Sequence, residues 1–123
     1  MGGRGSSSGI PKARNLISIS DMPKLTGSEK QIKWAESIRE DAIGTVNGNI
    51  RNAETQMQKN PDSKSIWESR IEAYEETGRQ LKNTLEKITS AKQIIDQRKY
   101  LSPSYVNQAA EKIEEMQKRK RKK

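Results

Sequence analysis

WESRIEAYEETGRQLKNTLEKI, residues 67–88, is the stretch that decides the fold. Its apolar and small positions are Trp67, Ile71, Tyr74, Gly78, Leu81, Leu85 and Ile88, spaced alternately by four and three. That is a heptad seam along one side of a helix, the pattern of helix packed on helix. Upstream, Ile32, Ala35, Ile38, Ala42, Val46, Ile50, Ala53 and Met57 also recur every three or four residues. They predict a long first helix with one apolar face, ending near Lys59. Thr26-Gly27-Ser28-Glu29 has the form of a capping box at its start. Asn60-Pro61 stops it, because Asn tolerates the left-handed cap and Pro cannot continue a helix. Asp62 or Ser63 caps the second helix.

So short a link forces the two helices into an antiparallel hairpin, in which facing residues have nearly constant number sums. The seams match on this test. Met57 with Trp67, Ala53 with Ile71, Ile50 with Tyr74 and Val46 with Gly78 sum to 124. Ala42 with Leu81, Ile38 with Leu85 and Ala35 with Ile88 sum to 123. The one-residue step falls beside Gly44 and Gly48, where a close backbone approach or a kink is expected. Val46 against Gly78 reads as a large-against-small packing choice.

Beyond Ile88 the second helix runs on through Ile95, and Ser90-Ala91-Lys92-Gln93 offers a place to re-cap after a kink. Leu101-Ser102-Pro103 starts a third helix, with Ser as N-cap and Pro at the first position. Its face is Val106, Ala110, Ile113 and Met116. Matched by number, these meet Ile95, Ala91, Ile88 and Leu85. The expectation is therefore a three-helix end and a bare two-helix tip. A bare hairpin buries little area. Its tip residues Met57, Trp67 and Tyr74 become candidates for packing on a second copy or a partner.

The fold class is all-α: a long antiparallel hairpin with a third C-terminal helix, resembling a three-helix bundle, between disordered basic termini. The divisions are a flexible arm at 1–25, a helical domain at 26–117 and a basic tail at 118–123. Helices are expected at about 27–59, 63–99 and 103–117. Within the arm, MGGRGSSSG is a Gly/Ser-rich coil. Leu16-Ile17-Ser18-Ile19, bracketed by Pro11 and Pro23, is a short strand or docking segment.

Composition agrees with a thin core. Of 123 residues, 30% are hydrophobic, 33% are charged and none is Phe, which favours helices needing one apolar stripe. Absence of Cys excludes disulfides and thiolate sites, and absence of His removes the commonest general base and transition-metal ligand. No phosphate loop, HExxH, CxxC or GxSxG is present. Glu72, Glu75 and Glu76, or Glu111, Glu114 and Glu115, can be read as a metal cluster or acid pair; a solvated helix face is the ordinary reading. No enzyme, cofactor, metal or small-molecule substrate is expected, and no membrane span.

The net charge is +8, and its location matters more than its size. Residues 118–123, Lys118, Arg119, Lys120, Arg121, Lys122 and Lys123, are all basic. Residues 1–25 carry Arg4, Lys12, Arg14 and Lys24 against Asp21. Between them, 14 basic residues face 15 acidic ones, so the body is close to neutral. The basic ends are the nucleic-acid signal, of the kind that binds phosphates without sequence preference. Trp34 stands among Lys30, Lys33 and Arg39. It reads either as an aromatic–basic patch for a base or phosphate, or as a rim residue under lysine stems.

Two stretches carry a resemblance. MGGRGSSSG resembles the start of many short phage and prophage proteins. LTGSEKQIKWAESIRE (25–40) with ITSAKQIIDQR (88–98) resembles a helical module in uncharacterised bacterial, phage and mobile-element proteins. The resemblance implies a phage or mobile-element origin and a place in the cytoplasm of a bacterial host. Three functions then fit. One is a phage accessory protein contacting nucleic acid or a nucleoprotein through basic termini, its body a scaffold or dimer. Another is a counter-defence inhibitor, such as an anti-CRISPR protein, blocking a nucleoprotein effector. The last is an assembly protein acting through the helical seam.

Overall fold

The structure is a computed structural model that describes residues 16–121, with side chains to Lys120. After a 3-10 turn at Ile19–Asp21, the elements are α1 (Glu29–Lys59), a 3-10 turn at Pro61–Ser63, α2 (Lys64–Glu86), α3 (Ala91–Asp96), α4 (Arg98–Leu101) and α5 (Pro103–Arg121). No strand occurs among the described residues; Thr26 and Ser90 form one isolated parallel bridge.

The α1–α2 hairpin is built on the predicted seam. Ala35, Ala42, Val46, Ile50, Ala53, Ile71 and Leu85 are wholly buried. Gly78 confirms the register: a Cβ there would stand 3.1 Å from Val46 Cγ1. The close approach therefore belongs to Gly78. Gly44 and Gly48, where it was expected, have no atom within 4 Å of a would-be Cβ and lie on the exposed side.

The start of α1 is corrected by two residues. Gly27 has φ +142°, a conformation that favours glycine, and it turns the chain so that Ser28 becomes the cap. Ser28 Oγ accepts from Gln31 N at 3.2 Å, and Gln31 Oε1 accepts from Ser28 N at 3.3 Å. Thr26 instead donates its amide to Thr89 O at 2.7 Å and accepts from Ala91 N at 2.9 Å. At the other turn, Ser63 makes no side-chain cap bond, and Pro61–Ser63 leads into α2 as a 3-10 turn.

Order also begins earlier than Thr26. The segment from Leu16 docks across the hairpin, with Ile17, Met22 and Leu25 buried. Asn47 holds it as a strand edge would: Ile17 N donates to Oδ1 at 3.0 Å, and Nδ2 donates to Ile17 O at 2.9 Å. The Ile17 side chain fills the notch left by Gly78, where a Cβ would meet its Cδ1 at 3.5 Å. Buried Arg39 donates to Pro23 O at 2.8 Å. Residues 1–15 of the predicted arm lie outside the described residues.

The C-terminal third departs most from expectation. The second helix does not run through Ile95; α2 stops at Glu86, and Ser90 re-caps the chain by accepting from Gln93 N. The short α3 and α4 then pack on α1. Freed from α3, α5 returns antiparallel along α2. Tyr74 Oη donates to Asn107 Oδ1 at 2.6 Å, and Arg70 Nε reaches Glu114 Oε1 at 3.5 Å. Val106 thus lies beside Leu81, not Ile95, and α5 extends along α2 as far as Arg70. Val106 and Ala110 are buried as expected, Ile113 is half-buried, and Met116 is 57% exposed because Glu114 takes the inward position.

Candidate nucleic-acid interface

The antiparallel course of α5 decides where its basic end stands. Asn107 meets Tyr74 and Glu114 meets Arg70, and farther along α5 Gln117 and Lys120 border one depression with Glu72, Glu75 and Arg79 of α2. Asn49 Nδ2, 3.4 Å from Asn107 Oδ1, gives the same level against α1. Lys59 ends α1 and Lys64 begins α2 at the hairpin turn, and both are exposed. Lys118, Arg119 and Lys120 are exposed at the end of α5, with Lys120 on the same depression as Glu72, Glu75 and Arg79.

The run was expected to be a solvated tail from residue 118, yet α5 continues to Arg121. The causes are local. Lys and Arg have good helix propensity, and cations are favoured at a helix C-terminus by its dipole. Glu114, four residues before Lys118, is in the favourable order for a helix pair, at 3.5 Å. Glu114 is itself buried and engages both Lys118 and Arg70. Its burial overturns the reading of this acidic run as wholly solvated. Glu75 is buried as well, while Glu76 accepts from Arg79 and Gln80 along its own helix. The Arg79 hydrogen bond, then that of Gln80, lowers the Glu76 pKa. No group of three or more metal-ligating acids comes together among the described residues.

The expected protein-interface residues part company. Met57 and Tyr74 are buried inside the chain, because α5 and the helix seam cover them. Burial raises the Tyr74 phenol pKa; Arg70 acts against this, and Glu111 and Glu114 add to it. Trp67 is half-buried, with the Arg70 guanidinium 4.9 Å from its ring centroid. Met57 and Tyr74, buried within the chain, are therefore not offered to a second copy, while Trp67 keeps an accessible side.

Trp34 is 50% exposed at the opposite end of the bundle. Lys30 and Lys33 are exposed there on the first turns of α1. Arg39 is not part of this patch, since it points inward to Pro23. Arg98 from α4 takes that place, its guanidinium 5.3 Å from the Trp34 ring centroid. Sequence reading missed Arg98. The available signal was the run Arg98-Lys99-Tyr100, a basic–aromatic triplet directly before the Ser102 cap.

Arg4, Lys12, Arg14, Lys122 and Lys123 lie outside the described residues, so the interface is built from what α1, α2, α4 and α5 present. No helix among the described residues is long and apolar enough to cross a membrane. Set against known protein families, curated proteins and solved structures, the chain matches none of them.

Proposed function

We propose that this protein binds nucleic acid through the basic end of the bundle, with the helical body as the scaffold that presents it. One observation carries the reading: α5 remains helical through Lys118, Arg119 and Lys120 and holds them exposed at its C-terminal end. Such a cluster neutralises phosphates and releases their counterions, which gives affinity without sequence preference. The near-neutral remainder of the body keeps the attraction local. In the phage or mobile-element setting that the resemblance implies, the target is phage or host nucleic acid, bare or within a nucleoprotein.

The test is the salt dependence of binding to a random-sequence duplex. Removing residues 118–123 is expected to abolish measurable binding at physiological salt. The double variant Arg119→Gln, Lys120→Gln is expected to weaken it and to flatten the plot of log affinity against log salt by about 0.9 for each phosphate no longer neutralised. Lys118→Gln is expected to do less, because Glu114 already engages that ammonium. Tail-deleted protein that binds duplex as the intact chain does would sink the proposal.

A further inference from the structure

The aromatic residues are unevenly placed. Tyr74 is buried and Trp67 half-buried near the basic end. Trp34, Tyr100 and Tyr105, at 50%, 54% and 41% exposure, stand at the other end. Two of these three are set beside cations. Arg98 lies over Trp34, and Lys99 Nζ is 5.9 Å from the Tyr100 centroid. All of this is arranged about α4, a single turn of helix. Residues two apart on a helix point to nearly opposite sides. Trp34, under Arg98, and Tyr100 therefore flank α4, with Lys99 between them.

The groups are held in place. Arg98 Nη1 donates to Ile95 O at 2.9 Å. Tyr105 meets Tyr100 edge to face, with centroids 5.2 Å apart and planes at 87°. Rigid aromatic faces beside fixed cations lose little side-chain entropy on binding. Lys30 shares the Trp34 face of α1, four residues before it, and Lys33 is adjacent. The acids nearby are Asp41 and Asp96, which line the same depression as Arg98 and Lys99. Asp96 already faces Lys92 at 3.9 Å. The ridge therefore keeps an excess of positive charge.

An apolar protein partner fits this ridge poorly. Covering the rings would bury Arg98 and Lys99 without anions, which is costly. An unpaired nucleotide brings both complements at once, a flat π-face for the ring and a phosphate for the cation. A duplex does not, because its bases are already stacked and its π-faces hidden.

We propose that the α4 ridge, with Trp34 on one side and Tyr100 on the other, stacks unpaired bases and directs the protein toward single-stranded nucleic acid. This inference rests on the reading of the chain as a nucleic-acid binder and names the form it prefers.

Oligodeoxythymidylate, the duplex of equal length and an abasic strand of equal length are the probes. Oligodeoxythymidylate is expected to bind more tightly than the duplex and to quench tryptophan fluorescence. The quench is lost in Trp34→Phe, whose remaining fluorescence comes from Trp67, and the abasic strand gives none in the intact chain. Trp34→Ala and Tyr100→Ala are each expected to cost about tenfold in single-strand affinity, in the range of one stacked base, and to leave duplex affinity unchanged. Both side chains are exposed, and circular dichroism checks that each variant folds. If the single strand and duplex bind equally and Trp34→Ala changes neither, the ridge is not a base-stacking site and the basic end stands alone. If the intact protein binds none of the probes, both readings fall together.

Discussion

The α1–α2 seam and the packing of α5 hold the same bundle together by different chemistry. Across the seam, Val46, Ile50, Ala53, Ile71 and Leu85 are sealed from water, and Gly78 lets the two backbones close. Where α5 meets the hairpin, Val106 and Ala110 are buried too, and polar links are added to them: Tyr74 to Asn107, Asn107 to Asn49, and Arg70 to Glu114. The seam draws its stability from area removed from water, which is not directional. The α5 interface is directional and contributes less per link, and it sets the level at which α5 stops. The seam makes the fold stable; the polar links decide where the basic end is delivered.

That contrast can be broken by substitution. Ile71→Ala opens a cavity in the seam and is expected to cost about 2–5 kcal/mol in urea unfolding. Asn107→Ala leaves the Tyr74 hydroxyl buried without its acceptor and is expected to cost about 1–3 kcal/mol. The signature lies in the other readout. At urea concentrations where both variants are folded, Asn107→Ala should speed hydrogen exchange along α5 more than along α1, and Ile71→Ala should act on both. Equal loosening of both helices in Asn107→Ala would show that the polar links do not govern α5.

The glycines sharpen the comparison at smaller scale. Gly44→Ala is expected to stabilise by about 0.5–1 kcal/mol, because the position is open and Ala is the better helix former. Gly78→Ala is expected to gain nothing of the kind, since its Cβ would press on Val46 Cγ1 at 3.1 Å. Thermal unfolding of the two variants separates them; similar gains in both would refute the close approach at Gly78.

The smallest expected effect is in alkali. The Tyr74 pKa is raised above the ordinary 10.0, by burial first. A group raised in the folded state contributes stability that is full below its unfolded value and lost as pH rises through the folded one. Stability should thus decline above about pH 10, and Tyr74→Phe should flatten that limb. An identical decline in the variant would assign it to other groups.

Much of the hairpin was legible in the chain because apolar periodicity reports burial directly. The pairing of Val46 with Gly78 followed from spacing alone. Three features were not legible, each for its own reason. The cap moved from Thr26 to Ser28 because Gly27 adopts a positive φ that pattern matching ignores. The level of α5 was missed because the apolar pattern continues past Glu86 while the helix does not. Asn47 and Asn107 were passed over because polar residues carry no periodic signal, although each fixes a neighbouring segment. The candidate interface divided the same way: the basic run was plain to read, while the meeting of Arg98 with Trp34 joins residues far apart in the chain.

By itself the sequence determined an all-helical chain, a long hairpin with its register, a neutral body and a concentrated basic end. These are local or short-range properties: helical period, a turn at Asn60-Pro61, and charge counted along the chain. Only the tertiary structure decided that Ile17 straps the hairpin, that α5 returns along α2 with Asn107 at Tyr74 and Glu114 at Arg70, and that α4 sets cations beside Trp34 and Tyr100. The physical reason is that a break of four residues, 87–90, redirects everything after it. The direction taken is chosen by hydrogen bonds and packing against distant elements, which no spacing rule contains.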